Sequence, residues 1–153
     1  MKTETLMDIL VRKAKRDDLK TILDLVVELA VYEKEPDAVT ASLADYQLAF
    51  DKQRIQILVA EDAGKIVGMT LYYLTFSTWK GKMMYLEDFV VNEAYRRTGV
   101  GELLWHALKE DCKRQKCILL KWQVLDWNEP AIKFYEKHGA TIEKEWWNGK
   151  IYF

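Results

Sequence analysis

Between residues 83 and 101 the chain reads as an apolar run, a short connection and an Arg/Gly turn that opens a helix. Residues 83–91 are apolar at nearly every position except Glu87 and Asp88. An apolar run without alternation suits a central strand covered on both faces. After the turn Arg96-Arg97-Thr98-Gly99-Val100-Gly101, the residues Val100, Leu103, Leu104, Ala107, Leu108 and Cys112 repeat at helical spacing. A helix over 99–115 is therefore predicted, with one apolar side. Strand, turn and helix in that order demand a layered α/β arrangement.

The turn has the layout of an anion site. The first turn of a helix leaves N–H groups without internal acceptors, and the helix dipole adds positive charge there. Gly99 and Gly101 would let a phosphate approach the backbone closely, while Arg96 and Arg97 add charge. The alternative is a tight turn whose glycines only let helix and strand pack. Neither G-x-x-x-x-G-K-[ST] nor G-x-G-x-x-G is present, which disfavours a P-loop or a Rossmann dinucleotide site.

The rest of the chain supplies further elements. A first strand is predicted over 7–14. A helix follows Asp17 or Asp18 and ends near Glu33, carried by Leu19, Ile22, Leu23, Val26, Val27 and Ala30. A shorter helix is predicted over 42–50 and strands over 55–61 and 66–75, joined by a turn at 62–65. A strand over 117–124 precedes a helix over 129–138 with Pro130 in its first turn. Strands 141–147 and 150–153 would form a last hairpin around Asn148-Gly149. The order βααβββαβαββ describes one α/β domain, residues 1–153, a mixed sheet with helices on both faces.

Composition narrows the function classes. Lys plus Arg total 23 and Asp plus Glu 24, giving a net charge of −1. That balance argues against nucleic acid as a partner, which calls for a concentrated basic surface. No apolar run approaches the roughly 20 residues that span a bilayer, so no membrane partner is expected. Residues 1–5 lack a secretory layout, and the chain reads as cytoplasmic. Cys112 and Cys117 read as reduced packing residues, and no metal site is expected without a Cys/His cluster.

Two blocks together carry a family resemblance. R-x-x-G-x-G after an apolar strand resembles the signature of the GNAT superfamily of N-acetyltransferases. Trp127-Asn128-Glu129-Pro130-Ala131-Ile132-Lys133-Phe134-Tyr135-Glu136-Lys137-His138-Gly139-Ala140 resembles that family's late helix, N-x-x-A-x-x-F-Y-x-x-x-G-(F/A). Tyr85-Leu86-Glu87-Asp88-Phe89-Val90-Val91, Glu28-Leu29-Ala30-Val31-Tyr32-Glu33 and Trp127-Asn128-Glu129-Pro130 are similar to the diamine (spermidine/spermine) and thialysine branch. The resemblance implies a mostly antiparallel sheet of about six or seven strands with a splay after strand 83–91. It implies acetyl-CoA as co-substrate, a small cationic amine as acceptor and a homodimer. Glu136 departs from the basic residue that the polyamine enzymes tend to carry there, and 145–149 is not a clear match.

The same resemblance implies site roles. Acetyl-CoA would meet Phe89, Val91, Arg96, Arg97, Thr98, Gly99, Val100, Gly101, Glu102, Asn128, Ala131 and Tyr135. Tyr32, Glu33, Glu87 and Asp88 would line the amine pocket, where acidic groups favour a cation.

An alkylammonium with a pKa of about 10.4 is neutral in roughly one molecule in 2,500 at pH 7, a cost of about 4.6 kcal/mol. Glu87 is the candidate base, because an acid in an apolar strand is costly unless paired or functional. A salt-bridged carboxylate at the sheet rim is the alternative. Glu87 and Asp88 are adjacent and would face opposite ways unless the strand is bulged. The Phe89 N–H is a candidate to polarise the thioester carbonyl. Tyr135 is the candidate general acid, although a phenol near 10 protonating a thiolate near 8.5 is uphill by roughly 2 kcal/mol, so a strengthening hydrogen bond is the easier role. Its alternative is a packed core tyrosine, and that of Asn128 is a helix N-cap. His106 and His138 read as structural. A protein or peptide acetyltransferase and a non-catalytic CoA-binding module remain the rival functions.

Overall fold

A computed structural model describes residues 8–153. The predicted strand start at Met7 and the N-terminal residues 1–5 lie outside the described part. The chain divides into two compact units, one up to Trp122 and the other Gln123–Phe153.

The first unit holds a five-stranded sheet in the order β1-β2-β3-β4-β5. Its strands are β1 (Ile9–Lys13), β2 (Gln56–Asp62), β3 (Lys65–Ser77), β4 (Gly81–Val91) and β5 (Leu119–Trp122). All neighbours are antiparallel except β4 and β5, which run parallel. The mixed, mostly antiparallel α/β sheet is therefore as expected, with fewer strands.

Two helices cover one face. They are α1 (Leu19–Tyr32), entered through a 3-10 turn at Arg16–Asp18, and α2 (Leu43–Asp51). Ser42 caps α2 by accepting from the Asp45 N–H at 3.1 Å, while its own N–H donates to the Asp45 carboxylate at 2.7 Å. Leu19, Ile22 and Leu25 of α1 join Ile57, Val59, Met69, Leu71 and Val90 in one core. Tyr46 and Phe50 of α2 pack against it.

The other face takes α3 (Val100–Arg114). Val100, Leu104 and Leu108 are fully buried there. Phe89 of β4 stacks on Trp105 at 6.0 Å, and Trp105 meets Trp122 edge-on. Burial on two faces explains why β2 and β4 lack a clean polar/apolar alternation.

Near its C-terminal end α3 is tied to the sheet through Asp111, 2% exposed. Its carboxylate accepts from Lys13 Nζ at 2.6 Å, from the Tyr72 hydroxyl, from Arg114 and from Gln115. Burial works against the charge, but these donors outweigh it and hold the Asp111 carboxyl at about 2.

The second unit contains α4 (Glu129–Lys137). The predicted hairpin over 141–147 and 150–153 is not formed: residues 141–153 carry no strand. Asn148-Gly149 is a local turn signal, whereas a two-stranded ladder needs a surface to bury one face. Trp147 is 94% exposed, so the apolar positions of that segment have no such surface. This is why five strands are seen instead of six or seven.

Gly68 of β3 lies under α3. A Cβ there would lie 3.0 Å from the Val90 carbonyl oxygen and 3.1 Å from Leu104 Cδ1. Backbone cannot yield as a side-chain tip can, so Gly68→Ala should destabilise the fold by about 1–3 kcal/mol. Urea unfolding would measure this, and an unchanged midpoint would refute the close seating of α3.

Candidate active site

The ladder between β3 and β4 slips by one residue. Leu71 faces Asp88 and Tyr72 faces Leu86, so Glu87 is an extra residue without a partner. A bulge of this kind breaks the alternation of side chains. Asp88 lies on the α1/α2 face, because its partner Leu71 belongs to that core. Leu86 lies on the α3 face, because its partner Tyr72 reaches Asp111. Glu87 also turns to the α1/α2 side, where its carboxylate accepts from the Tyr73 hydroxyl at 2.9 Å. The two adjacent acids thus share one face, which a regular strand forbids.

The slip adjoins the point where β4 loses a neighbour. Parallel pairing of β4 with β5 ends at Leu86 and Trp122. Among the described residues, 87–91 have no strand on that edge. β4 thus parts from β5 within the strand, from Glu87 on, and not after Val91 as expected.

Around the carboxylates the setting is partly dry. Burial, followed by the charges of Glu87 and Glu33, pushes the Asp88 carboxyl up to about 7. Glu33, just past the end of α1, is raised by burial. Tyr46 of α2 is pushed up to about 12 by burial and then by Asp88 and Glu87. Tyr73 is raised by burial and by its bond to Glu87. Its ring stacks on Tyr85 at 5.5 Å. Glu33, Glu87 and Asp88 were legible in the sequence; Tyr46 and Tyr73 were not. Only register and helix docking bring those two tyrosines to the acids, and neither leaves a local pattern.

The turn after β4 is held by its own bonds. The Asn92 side chain accepts from the Ala94 N–H at 3.1 Å, and the Tyr95 hydroxyl donates to Asp62 at 2.6 Å. The Thr98 hydroxyl donates to the Tyr95 carbonyl. Gly99 caps α3 at φ 95°, a left-handed conformation that favours glycine. Gly101 differs from Gly68: a Cβ there would sit 3.7 Å from Phe89 and 3.8 Å from Val91, ordinary contact distances. Packing alone therefore does not demand a glycine at 101. Val100, Gly101 and Glu102 form the first turn of α3, whose N–H groups have no acceptor within the helix.

The two arginines part company. Arg96 Nε donates to the Val91 carbonyl at 3.4 Å, and its guanidinium lies over the Tyr32 ring at 4.8 Å. Arg97 has φ 61° and no ion pair among the described residues. In the second unit, Asn128 caps α4, its side chain accepting from the Ala131 N–H at 3.4 Å. Tyr135 is buried on α4 beside Phe134, ring centroids 5.8 Å apart.

Elsewhere, a cleft of about 680 Å³ lined by Lys13, Phe50, Gln56 and Gln115 shares no residue with this site. Among the described residues no group of three or more His, Cys, Asp or Glu could hold a metal, and no helix is long and apolar enough to cross a membrane.

A mixed sheet that loses a neighbour beside a bulged carboxylate pair, followed by a glycine-bearing helix start, is the arrangement that the comparisons with known proteins identify. The acetyltransferase (GNAT) family model matches residues 19–140. Thialysine N-epsilon-acetyltransferase of Bos taurus is 36% identical over 154 residues, covering 92% of this chain and 89% of that protein. Spermidine/spermine N(1)-acetyltransferase-like protein 1 of Homo sapiens is 35% identical over 89% of this chain, which spans 21% of that longer protein. An aminoglycoside acetyltransferase from an uncultured soil metagenomic sample, crystallised with trehalose, superposes with a TM-score of 0.81. It covers 96% of this chain and 97% of its own, and at 17% identity it shows the fold alone. The chain belongs to the GNAT family of acetyltransferases, in its diamine and thialysine branch, and is an enzyme of the acyltransferase class.

Asp88 gives the site a pH signature. Its carboxyl rises from 3.8 to about 7 on folding. Between those values the folded chain holds the extra proton, so stability falls as pH rises from about 4 to 7 and levels off above. Asp88→Asn should match the parent near pH 4 and exceed it by about 2 kcal/mol at pH 8. Urea curves at both pH values test this; the same offset at each would refute it.

Proposed function

We propose that this acetyltransferase moves an acetyl group from acetyl-CoA directly to a primary amine of a small cation, a diamine, polyamine or lysine analogue. Residues 1–153 would act as one N-acetyltransferase domain and as a homodimer, in line with the branch resemblance. The observation that carries the reading is the convergence of Glu33, Glu87 and Asp88 on one partly dry face. Grouped acids favour a cation, and Asp88 is pushed toward its neutral form by burial and by the charges of Glu87 and Glu33.

The residues present fit acetyl-CoA. The α3 start offers helix N–H groups and a glycine at 101 that packing does not require. Arg97, Thr98, Gly99, Val100, Gly101 and Glu102 would hold the pyrophosphate end, with Arg96 beside them. By the family resemblance, Phe89 and Val91 of β4 would offer backbone groups to the pantetheine arm, and Asn128 and Ala131 are assigned to the cofactor on the same ground. When bound, acetyl-CoA supplies an activated acyl thioester.

The chain's own groups would manage the protons. The Glu87–Asp88 pair takes up the ammonium proton: Tyr73 holds Glu87 in place, and Asp88 has a proton affinity near neutrality. Tyr32 and Glu33 line the acceptor side. The Phe89 N–H is the donor for the thioester carbonyl. Tyr135 Oη is the hydrogen-bond donor for the departing sulfur.

Acetyl-CoA turnover across spermidine, 1,3-diaminopropane, thialysine and lysine-containing peptides tests the substrate class. The small cations should exceed the peptides at least about tenfold in kcat/KM, a difference of about 1.4 kcal/mol. CoA binding without thiol release for any amine would point instead to a non-catalytic module, and a peptide preference to a protein acetyltransferase. Tyr135→Phe should lower kcat by about 10²-fold while CoA affinity, read by calorimetry, stays within about twofold. An unchanged kcat would remove Tyr135 from the chemistry.

A further inference from the structure

We infer that Arg96 is a positioning residue that transmits occupancy of the phosphate-side turn to the acidic, acceptor side of the proposed site through the Tyr32 ring. The inference rests on the acetyl-CoA reading above and assigns Arg96 a task that its place in the Arg/Gly turn does not suggest.

Three contacts carry it. The Arg96 guanidinium lies 4.8 Å from the centre of the Tyr32 ring, within range of a cation–π contact. Its Nε donates to the Val91 carbonyl at 3.4 Å, so the group is held between the end of β4 and the end of α1. One turn earlier on α1, Glu28 Oε1 accepts from the Glu93 N–H at 3.3 Å. The C-terminal end of α1 is thus fastened to the 92–96 loop at two points, one turn apart. Tyr32 is the last residue of that helix, and the next residue, Glu33, is one of the acids acting on Asp88.

This makes the loop and the helix end a contiguous linkage. An anion at the start of α3 attracts the guanidinium's charge and reduces the motion of the side chain that lies on Tyr32. The ring, and with it the backbone around Glu33, then loses freedom. An acceptor amine meets a pocket already ordered and gives up less entropy on binding. Reciprocity requires the amine to tighten the cofactor by the same factor. Arg97, which has no ion pair among the described residues, is left as the arginine for the phosphates.

The test is backbone hydrogen exchange of the full chain with and without CoA, each variant being saturated according to calorimetry. In the parent, CoA should slow exchange over residues 29–36 by threefold or more. Tyr32→Phe keeps the ring and should keep the slowing. Tyr32→Leu should lose it while still binding CoA, and Arg96→Met should lose it even at saturation. Equal slowing in Tyr32→Leu and the parent would overturn the inference. So would a parent chain that binds CoA without slowing at 29–36, the proposed cofactor standing. A parent chain that binds no CoA would overturn both.

Discussion

The register slip opposite Leu71 and Tyr72 determines which side chains can meet. Without it, Asp88 and Glu87 would lie on opposite faces, one under α1 and α2 and the other under α3. With it, both acids reach the same face and Tyr73 can hold Glu87. The slip lies next to the point where β4 loses β5. One inserted residue therefore pairs the acids and adjoins the opening of the sheet. The arrangement has an energetic cost, since Asp88 is driven toward its neutral form. Such local cost persists where the surrounding core over-determines the backbone.

That core explains how the bulge is tolerated. Leu71 of β3 and Val90 of β4, next to it in the ladder, belong to the cluster with α1. On the opposite face, Gly68 lets α3 approach β3 closely, and Asp111 ties the far end of α3 to Lys13 and Tyr72. With both ends of α3 fixed, its N-terminus is directed by packing and not by the turn alone. The turn adds its own bonds through Asn92, Tyr95 and Thr98. The start of α3 is thus held in place by the protein's own contacts, and for the proposed cofactor such preorganisation would lower the cost of binding.

Much of this was legible in the residues. The strand–turn–helix block stood out because apolar runs and helical spacing are local signals. Helices α1, α2, α3 and α4 fall within a few residues of their predicted bounds, since caps and prolines mark their ends. The acids of the site were visible because carboxylates in an apolar strand break the expected pattern. The failure at 141–153 is instructive in the same terms: Asn148-Gly149 favours a turn, but a turn makes a hairpin only where a ladder and a buried face are available. For Asn128 the helix N-cap, the alternative to a pantetheine contact, is formed.

The sequence by itself determined the layers, the Arg/Gly turn that opens α3, the two adjacent acids of β4 and the family, all properties of residue type at short spacing. Tertiary structure alone decided that Glu87 is the bulged residue, that Tyr46 and Tyr73 surround the acids, and that Arg96 leans on Tyr32 and not outward. Those outcomes depend on cross-strand register and helix docking. Both are set by the burial of side chains distant in sequence, so no single stretch of the chain contains them.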